Sequence, residues 1–166
     1  MISIRNIEAA DSEKFLNMLK KLDKETNFMM YEPGERKTTT AEVAQRINES
    51  IMNSSLLIAA EVNSEIVGFL SADRGFANRI KHSAYIVVGI LKEYRGQGIG
   101  TSLFSKLMEW AEMNEITRLE LTVMTNNETA INLYKKFGFE IEGVKKNSMK
   151  VDGKYVDEYY MAKVKV

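Results

Sequence analysis

Residues 84–91 read Ala-Tyr-Ile-Val-Val-Gly-Ile-Leu, and shortly after them Arg95-Gly96-Gln97-Gly98-Ile99-Gly100 carries three alternating glycines into an amphipathic segment. No other feature limits the fold as much. A nearly continuous apolar run from about Ser83 to Leu91 predicts a strand covered on both faces. The glycines lack a Cβ and let the backbone bend sharply. Leu103, Phe104, Leu107, Met108 and Ala111 then fall on one stripe of a helix reaching about Asn114. A strand, a glycine turn and a helix start in succession aim unpaired N–H groups, and the positive end of a helix dipole, at the turn. Such a turn suits a pyrophosphate, and Arg95 adds a charged fork at its entrance.

The remaining segments fit around this unit. Ile2 and Ile4 alternate with polar neighbours as a first strand, and Asp11-Ser12 can cap a helix with Phe15, Leu19 and Leu22 on one face. A loop over roughly 25–39 leads to a second helix from about Thr40, with Val43, Ile47 and Ile51 at four-residue spacing. Leu56 to Val62 and Ile66 to Ala72 form a hairpin about Asn63-Ser64. Arg118 to Met124 alternates with period two, as a half-buried strand does. Asn127 opens a short helix that presents Ala130, Leu133, Tyr134 and Phe137 and stops at Gly138. Phe139 to Lys150 and Tyr155 to Val166 flank Asp152-Gly153, a strong type I′ turn signal. The order β-α-α-β-β-β-α-β-α-β-β predicts an α/β (α+β) architecture, a mixed sheet with helices on its faces, in a single domain over residues 1–166.

Composition narrows the chemistry. Lys+Arg 23 against Asp+Glu 23 leaves no global field to hold nucleic acid or an anionic membrane. There is no cysteine and one histidine, so thiolate nucleophiles, disulfides and imidazole clusters for a metal are excluded together. With no leader-like start and no apolar run long enough to span a bilayer, the expectation is a cytoplasmic protein. Spacing then separates the phosphate loops. A P-loop needs Lys after its last glycine, but Thr101 and Ser102 follow Gly100. The dinucleotide fingerprint would need a glycine at 101 and an earlier place in the chain. The remaining alternative is a tight turn with no ligand.

Arg95-Gly96-Gln97-Gly98-Ile99-Gly100 resembles the coenzyme A signature [QR]-x-x-G-x-[GA] of the GNAT acetyltransferase superfamily. Asn127, Ala130, Leu133, Tyr134, Gly138 and Phe139 match the family's N-x-x-A-x-x-L-Y-x-x-x-G-F pattern. The element order from residue 2 to 165 fits its fold, so the resemblance implies a mostly antiparallel twisted sheet of about seven strands with four helices. The segments 135–143 and 152–162 are similar to a bacterial branch containing L-amino-acid N-acetyltransferases. The resemblance implies acetyl-CoA as co-substrate, lying between two splayed parallel strands that end near Leu91 and Met124. Residues 88–91, Val88, Ile90 and Leu91 among them, would offer backbone groups to the pantetheine. Arg95 to Gly100 with Thr101 would hold the pyrophosphate, and Asn127 and Tyr134 would touch the cofactor from the last helix.

Family precedent implies direct attack of a primary amine on the thioester, without an acyl-enzyme and without a metal. Tyr134 stands where the family's acid tyrosine stands, although its ring could equally serve only to pack. In the ribosomal-protein N-terminal acetyltransferases a glutamate lies twelve residues before that tyrosine; here the position is Thr122. Glu120 shares its strand face and is the first choice of base, with Glu93, Asp157, Glu158, water or, least favoured, His82 behind it. Phe28, Met29, Met30 and Tyr31 form an apolar cluster in the loop between the first two helices, suited to an acceptor pocket, core packing or a homodimer contact. A small amine such as an amino acid is the leading acceptor. An antibiotic, a polyamine or a protein N-terminus stands behind it, and a non-catalytic acyl-CoA sensor is the alternative class.

Overall fold

The computed structural model describes residues 1–165. Seven strands form one sheet in the order β1-β2-β3-β4-β5-β7-β6. They are β1 (Ile2–Asn6), β2 (Leu56–Val62), β3 (Glu65–Arg74), β4 (Ser83–Ile90), β5 (Arg118–Met124), β6 (Glu140–Val151) and β7 (Lys154–Val164). The helices are α1 (Ser12–Glu25), α2 (Thr40–Met52), α3 (Ile99–Met113) and α4 (Glu128–Lys136), with short 3-10 turns over Ala9–Asp11 and Lys92–Tyr94. Each neighbouring pair of strands is antiparallel except β4–β5. This is the expected mixed, mostly antiparallel sheet. The sequence-predicted end of the last strand, Val166, lies outside the described residues.

The local signals explain the elements. Thr39 caps α2 by accepting from the Glu42 N–H, and Asn127 caps α4 by accepting from the Ala130 N–H. Asn63 and Ser64 both take positive φ, as do Asp152 and Gly153, so both tight hairpins have the twist of a type I′ turn. Adjacent residues of β4 reveal which helices cover which face. A Cβ on Gly89 would lie 2.8 Å from Leu22 of α1, whereas Ile90 reaches Gly100 of α3. Neighbouring strand residues point oppositely. The helices α1 and α3 therefore cover opposite faces, and the core runs through Leu22, Phe69, Leu70, Leu103, Phe104, Leu107, Leu121 and Met161.

Three sequence expectations are corrected. Ile51 is 61% exposed, since the buried face of α2 is made by Val43 and Ile47 and does not extend to its last turn. The strand β4 is not covered on both faces: Tyr85 and Val87 are 38% and 37% exposed. The face that α1 covers at Gly89 is bare nearer the strand's start, and an apolar run cannot distinguish a second helix from an open site. Phe139 precedes β6 rather than starting it, but is fully buried against Phe104 and Tyr134.

Candidate functional site

The parallel strands β4 and β5 are paired only at Ser83 with Arg118, Ala84 with Leu119 and Tyr85 with Glu120. Beyond Tyr85, β4 continues to Ile90 paired with β3 alone, and β5 continues to Met124 paired with β7 alone. The ladder therefore opens into a gap whose inner edges carry strand N–H and C=O groups without a strand partner on that side. Polar backbone at such an edge needs a ligand or water. Val88 lies on the β4 edge. The Leu91 N–H donates to Val67 and its C=O accepts from Tyr94. The Ile90 carbonyl already accepts from Arg95 Nε at 3.1 Å, which ties the arginine to the gap's rim.

At the wide end of the gap stands the glycine turn. Gly96 and Gly98 have φ of 75° and 83°, a left-handed backbone that side chains rarely adopt, and nothing lies within 4 Å of a Cβ built on either. Conformation rather than crowding requires glycine there. Gly98 is the N-cap of α3, and the first bond of the helix runs from Ser102 N–H to Gly98 C=O. The N–H groups of Ile99, Gly100 and Thr101 therefore have no preceding turn to donate to. Gly100 meets a different constraint: a Cβ would come within 3.0 Å of Leu133. The Gln97 amide is turned back to the Glu93 carbonyl. A cation not foreseen from the sequence joins the turn, as Lys136 of α4 donates to Thr101 Oγ1 at 3.3 Å. These donors and charges fit a pyrophosphate, with Arg95, Lys136 and the first α3 N–H groups placed to hold it.

Tyr134 is 6% exposed and packs in an aromatic cluster with Phe104 and Phe139, at ring centroid distances of 5.5 and 6.0 Å. Burial, and secondarily the nearby Tyr85 phenol, push its hydroxyl above the ordinary phenol range. It is therefore a neutral O–H donor at every physiological pH. Asn127 spends its Oδ1 on capping α4.

Where the strands part, Tyr85 Oη and Thr122 Oγ1 share a hydrogen bond of 2.8 Å across the vertex. Nothing in the local pattern marks Tyr85, which reads as one more core residue of an apolar run. Beside this pair lies a cavity of about 340 Å³ lined by Tyr85, Arg118, Glu120, Thr122, Glu142 and Tyr160. Glu120 is present but engaged: Arg118 Nε donates to its Oε2 at 2.7 Å. The other end of the same guanidinium grips both oxygens of Glu142, at 2.6 and 3.1 Å. This contact holds the Glu142 carboxyl below the usual carboxylate range and raises Arg118.

Three other candidate bases have protein partners, although Glu158 stands opposite Met124 at the end of β5. Glu93 pairs with Lys21 on the surface, Asp157 accepts from the Asn147 N–H, and Glu158 accepts from Ser148. His82 precedes β4, at the opposite end from the glycine turn. Among the described residues no group of His, Cys, Asp or Glu is disposed to hold a metal.

The loop between α1 and α2 leaves Phe28 and Met30 exposed, while Met29 packs on the core. Its anchor escaped sequence reading. Asp23, 1% exposed on α1, accepts from Arg36 Nε and Nη2 at 2.8 and 3.0 Å, and the Arg36 guanidinium lies 4.6 Å over the Tyr31 ring. A single aspartate in a helix gives no warning that a distant arginine will bury it.

Comparisons with known proteins agree with this geometry. The model of the acetyltransferase (GNAT) family matches residues 16–139. The L-amino acid N-acetyltransferase AaaT of Escherichia coli is 36% identical over 109 residues, which are 65% of this chain and 67% of that enzyme. A GNAT-family acetyltransferase from Streptococcus pneumoniae superposes with a TM-score of 0.95 at 29% identity, over 99% of this chain and all of that one. A Salmonella typhimurium protein solved with its cofactor acetyl-CoA superposes with a TM-score of 0.87 over 98% of this chain and 93% of that one. Its 17% identity makes this a likeness of fold.

Proposed function

The chain belongs to the GNAT acetyltransferase family, the acetyl-CoA-dependent N-acetyltransferases, and from that premise we propose that it transfers acetyl directly to a primary amine of a small molecule in a ternary complex. The observation that carries this reading is the β4–β5 opening, which begins at Tyr85 and ends at the α3 glycine turn with Tyr134 alongside. Acetyl-CoA supplies an activated thioester there. The α3 N–H groups, Arg95 and Lys136 bind its pyrophosphate, and the bare β4 edge pairs with its amides.

The acceptor approaches over the uncovered face of Tyr85, Thr122 and Glu120. An ammonium has no lone pair to attack with, so it first gives a proton to the unbonded Oε1 of Glu120 or to water. The amine nitrogen then bonds to the thioester carbon and the carbon–sulfur bond breaks, the nitrogen's second proton passing through water to the thiolate while Tyr134 O–H donates a hydrogen bond to the departing sulfur. The absence of cysteine supports attack without an acyl-enzyme. The Escherichia coli relative is named for L-amino acids, which supports a small amine as acceptor. The exposed Phe28 and Met30 support an acceptor wall or a homodimer contact, which light scattering separates. No helix is long and apolar enough to cross a membrane, and a cytoplasmic location is proposed from composition.

The test is release of free CoA thiol from acetyl-CoA with amino acids, polyamines, aminoglycosides and peptides, alongside thermal stabilisation by CoA. Acceptor-dependent release is expected. Stabilisation without release from any amine would support the non-catalytic sensor, and no stabilisation at all would sink both.

A further inference from the structure

Charge in the cavity beside Tyr85 and Thr122 discriminates among amines. Its ionised groups are Arg118, Glu120 and Glu142, a net charge of −1. The arginine is already committed, since Nε serves Glu120 and the two terminal nitrogens serve the two oxygens of Glu142. A carboxylate on the acceptor would meet two fixed carboxylates and a guanidinium whose bidentate end is taken. Two residue pairs beyond Tyr160 in the β6–β7 register, Lys145 stands opposite Glu158, so that pair adds no net charge.

The opposite sign is well received. Among the described residues Glu120 keeps one oxygen without a partner, and the hydroxyls and aromatic faces of Tyr85 and Tyr160 border the cavity. The attacking amine must be neutral when it reacts, and once its proton has passed from Glu120 to solvent water the −1 charge is left uncompensated. A second ammonium on the acceptor restores the balance. At about 340 Å³ the cavity is large enough for a short aliphatic chain.

We propose that the acceptor is an aliphatic diamine or polyamine with no carboxylate on the amine-bearing carbon, selected by the Glu120–Arg118–Glu142 cluster. This rests on the acetyltransferase reading of the adjoining gap. The experiment uses the full chain, saturating acetyl-CoA and thiol release, with three matched acceptors: cadaverine, L-lysine, which adds only a carboxylate, and pentylamine, which lacks the second amine. Cadaverine should exceed each of the others in kcat/KM by roughly 10-fold or more. Glu142→Gln should raise KM for cadaverine and shrink its advantage over pentylamine, while Glu142→Asp, which keeps the charge, should retain most of that advantage.

Equal use of L-lysine and cadaverine, or of pentylamine and cadaverine, would overturn the proposal and leave the acetyltransferase reading intact. An unchanged cadaverine preference in a folded Glu142→Gln variant would overturn the role of the cluster. No thiol release from any amine would overturn both readings.

Discussion

Replacing Tyr134 by Phe isolates one oxygen atom. The ring stacked on Phe104 and Phe139 stays, and among the described residues the hydroxyl has no hydrogen-bond partner, so folding should change by well under 1 kcal/mol. Catalysis should change more. An ordinary phenol near pKa 10 is about 1.5 units less acidic than a thiol near 8.5, so moving its proton to sulfur costs about 2 kcal/mol. Burial raises the phenol further and increases that cost. Full proton transfer is therefore disfavoured, and the hydroxyl acts as a donor to charge growing on sulfur. A hydrogen bond to a charged group contributes about 1.5–3 kcal/mol. At 1.36 kcal/mol per decade, kcat should fall roughly 10- to 100-fold. The assay is thiol release at saturating acetyl-CoA and acceptor, with Tm measured in parallel. Because Tyr134 remains neutral far above pH 7, the variant should keep the shape of the wild-type pH–kcat profile. Unchanged turnover in the folded variant would refute a role for the hydroxyl, and loss of an alkaline limb would refute its neutrality.

Asp23→Ala leaves the Arg36 guanidinium, 10% exposed, without its counter-charge, and should cost about 3–5 kcal/mol, seen as a Tm lowered by on the order of 10 °C. Gly89→Ala places a methyl 2.8 Å from Leu22 and 2.9 Å from Phe69, and should cost about 1–3 kcal/mol in urea unfolding. Tyr134 has a folded pKa raised above its unfolded value, so its contribution to stability is complete below about pH 10 and is lost as pH rises beyond that. Tyr134→Phe should lose less stability between about pH 9 and 11 than the wild type does, and equal losses would contradict the burial of the phenol.

Much of the fold was written in local pattern. Turn residues set both tight hairpins, and Asn127 marked a helix start because a cap needs only its own next turn. The glycine turn was legible for the same reason: positive φ at Gly96 and Gly98, and a helix start after them, are properties of a few consecutive residues. Ile51 and β4 were misread where burial depends on what lies opposite. Period-four spacing continues past the last point of contact, and an apolar strand reads alike whether its second face meets a helix or an open cavity.

The sequence by itself determined the element order, the turn that can hold a pyrophosphate and the absence of thiol chemistry, since each depends on composition or near neighbours. Only the tertiary structure decided which distant groups meet. It put Lys136 at the glycine turn, joined Tyr85 to Thr122 where the strands part, and buried Asp23 against Arg36. It also turned Glu120 from a free carboxylate into one arm of an arginine-centred cluster. Hydrogen bonds and ion pairs act over a few ångströms of space, and those distances between residues far apart in the chain exist only once the sheet has assembled.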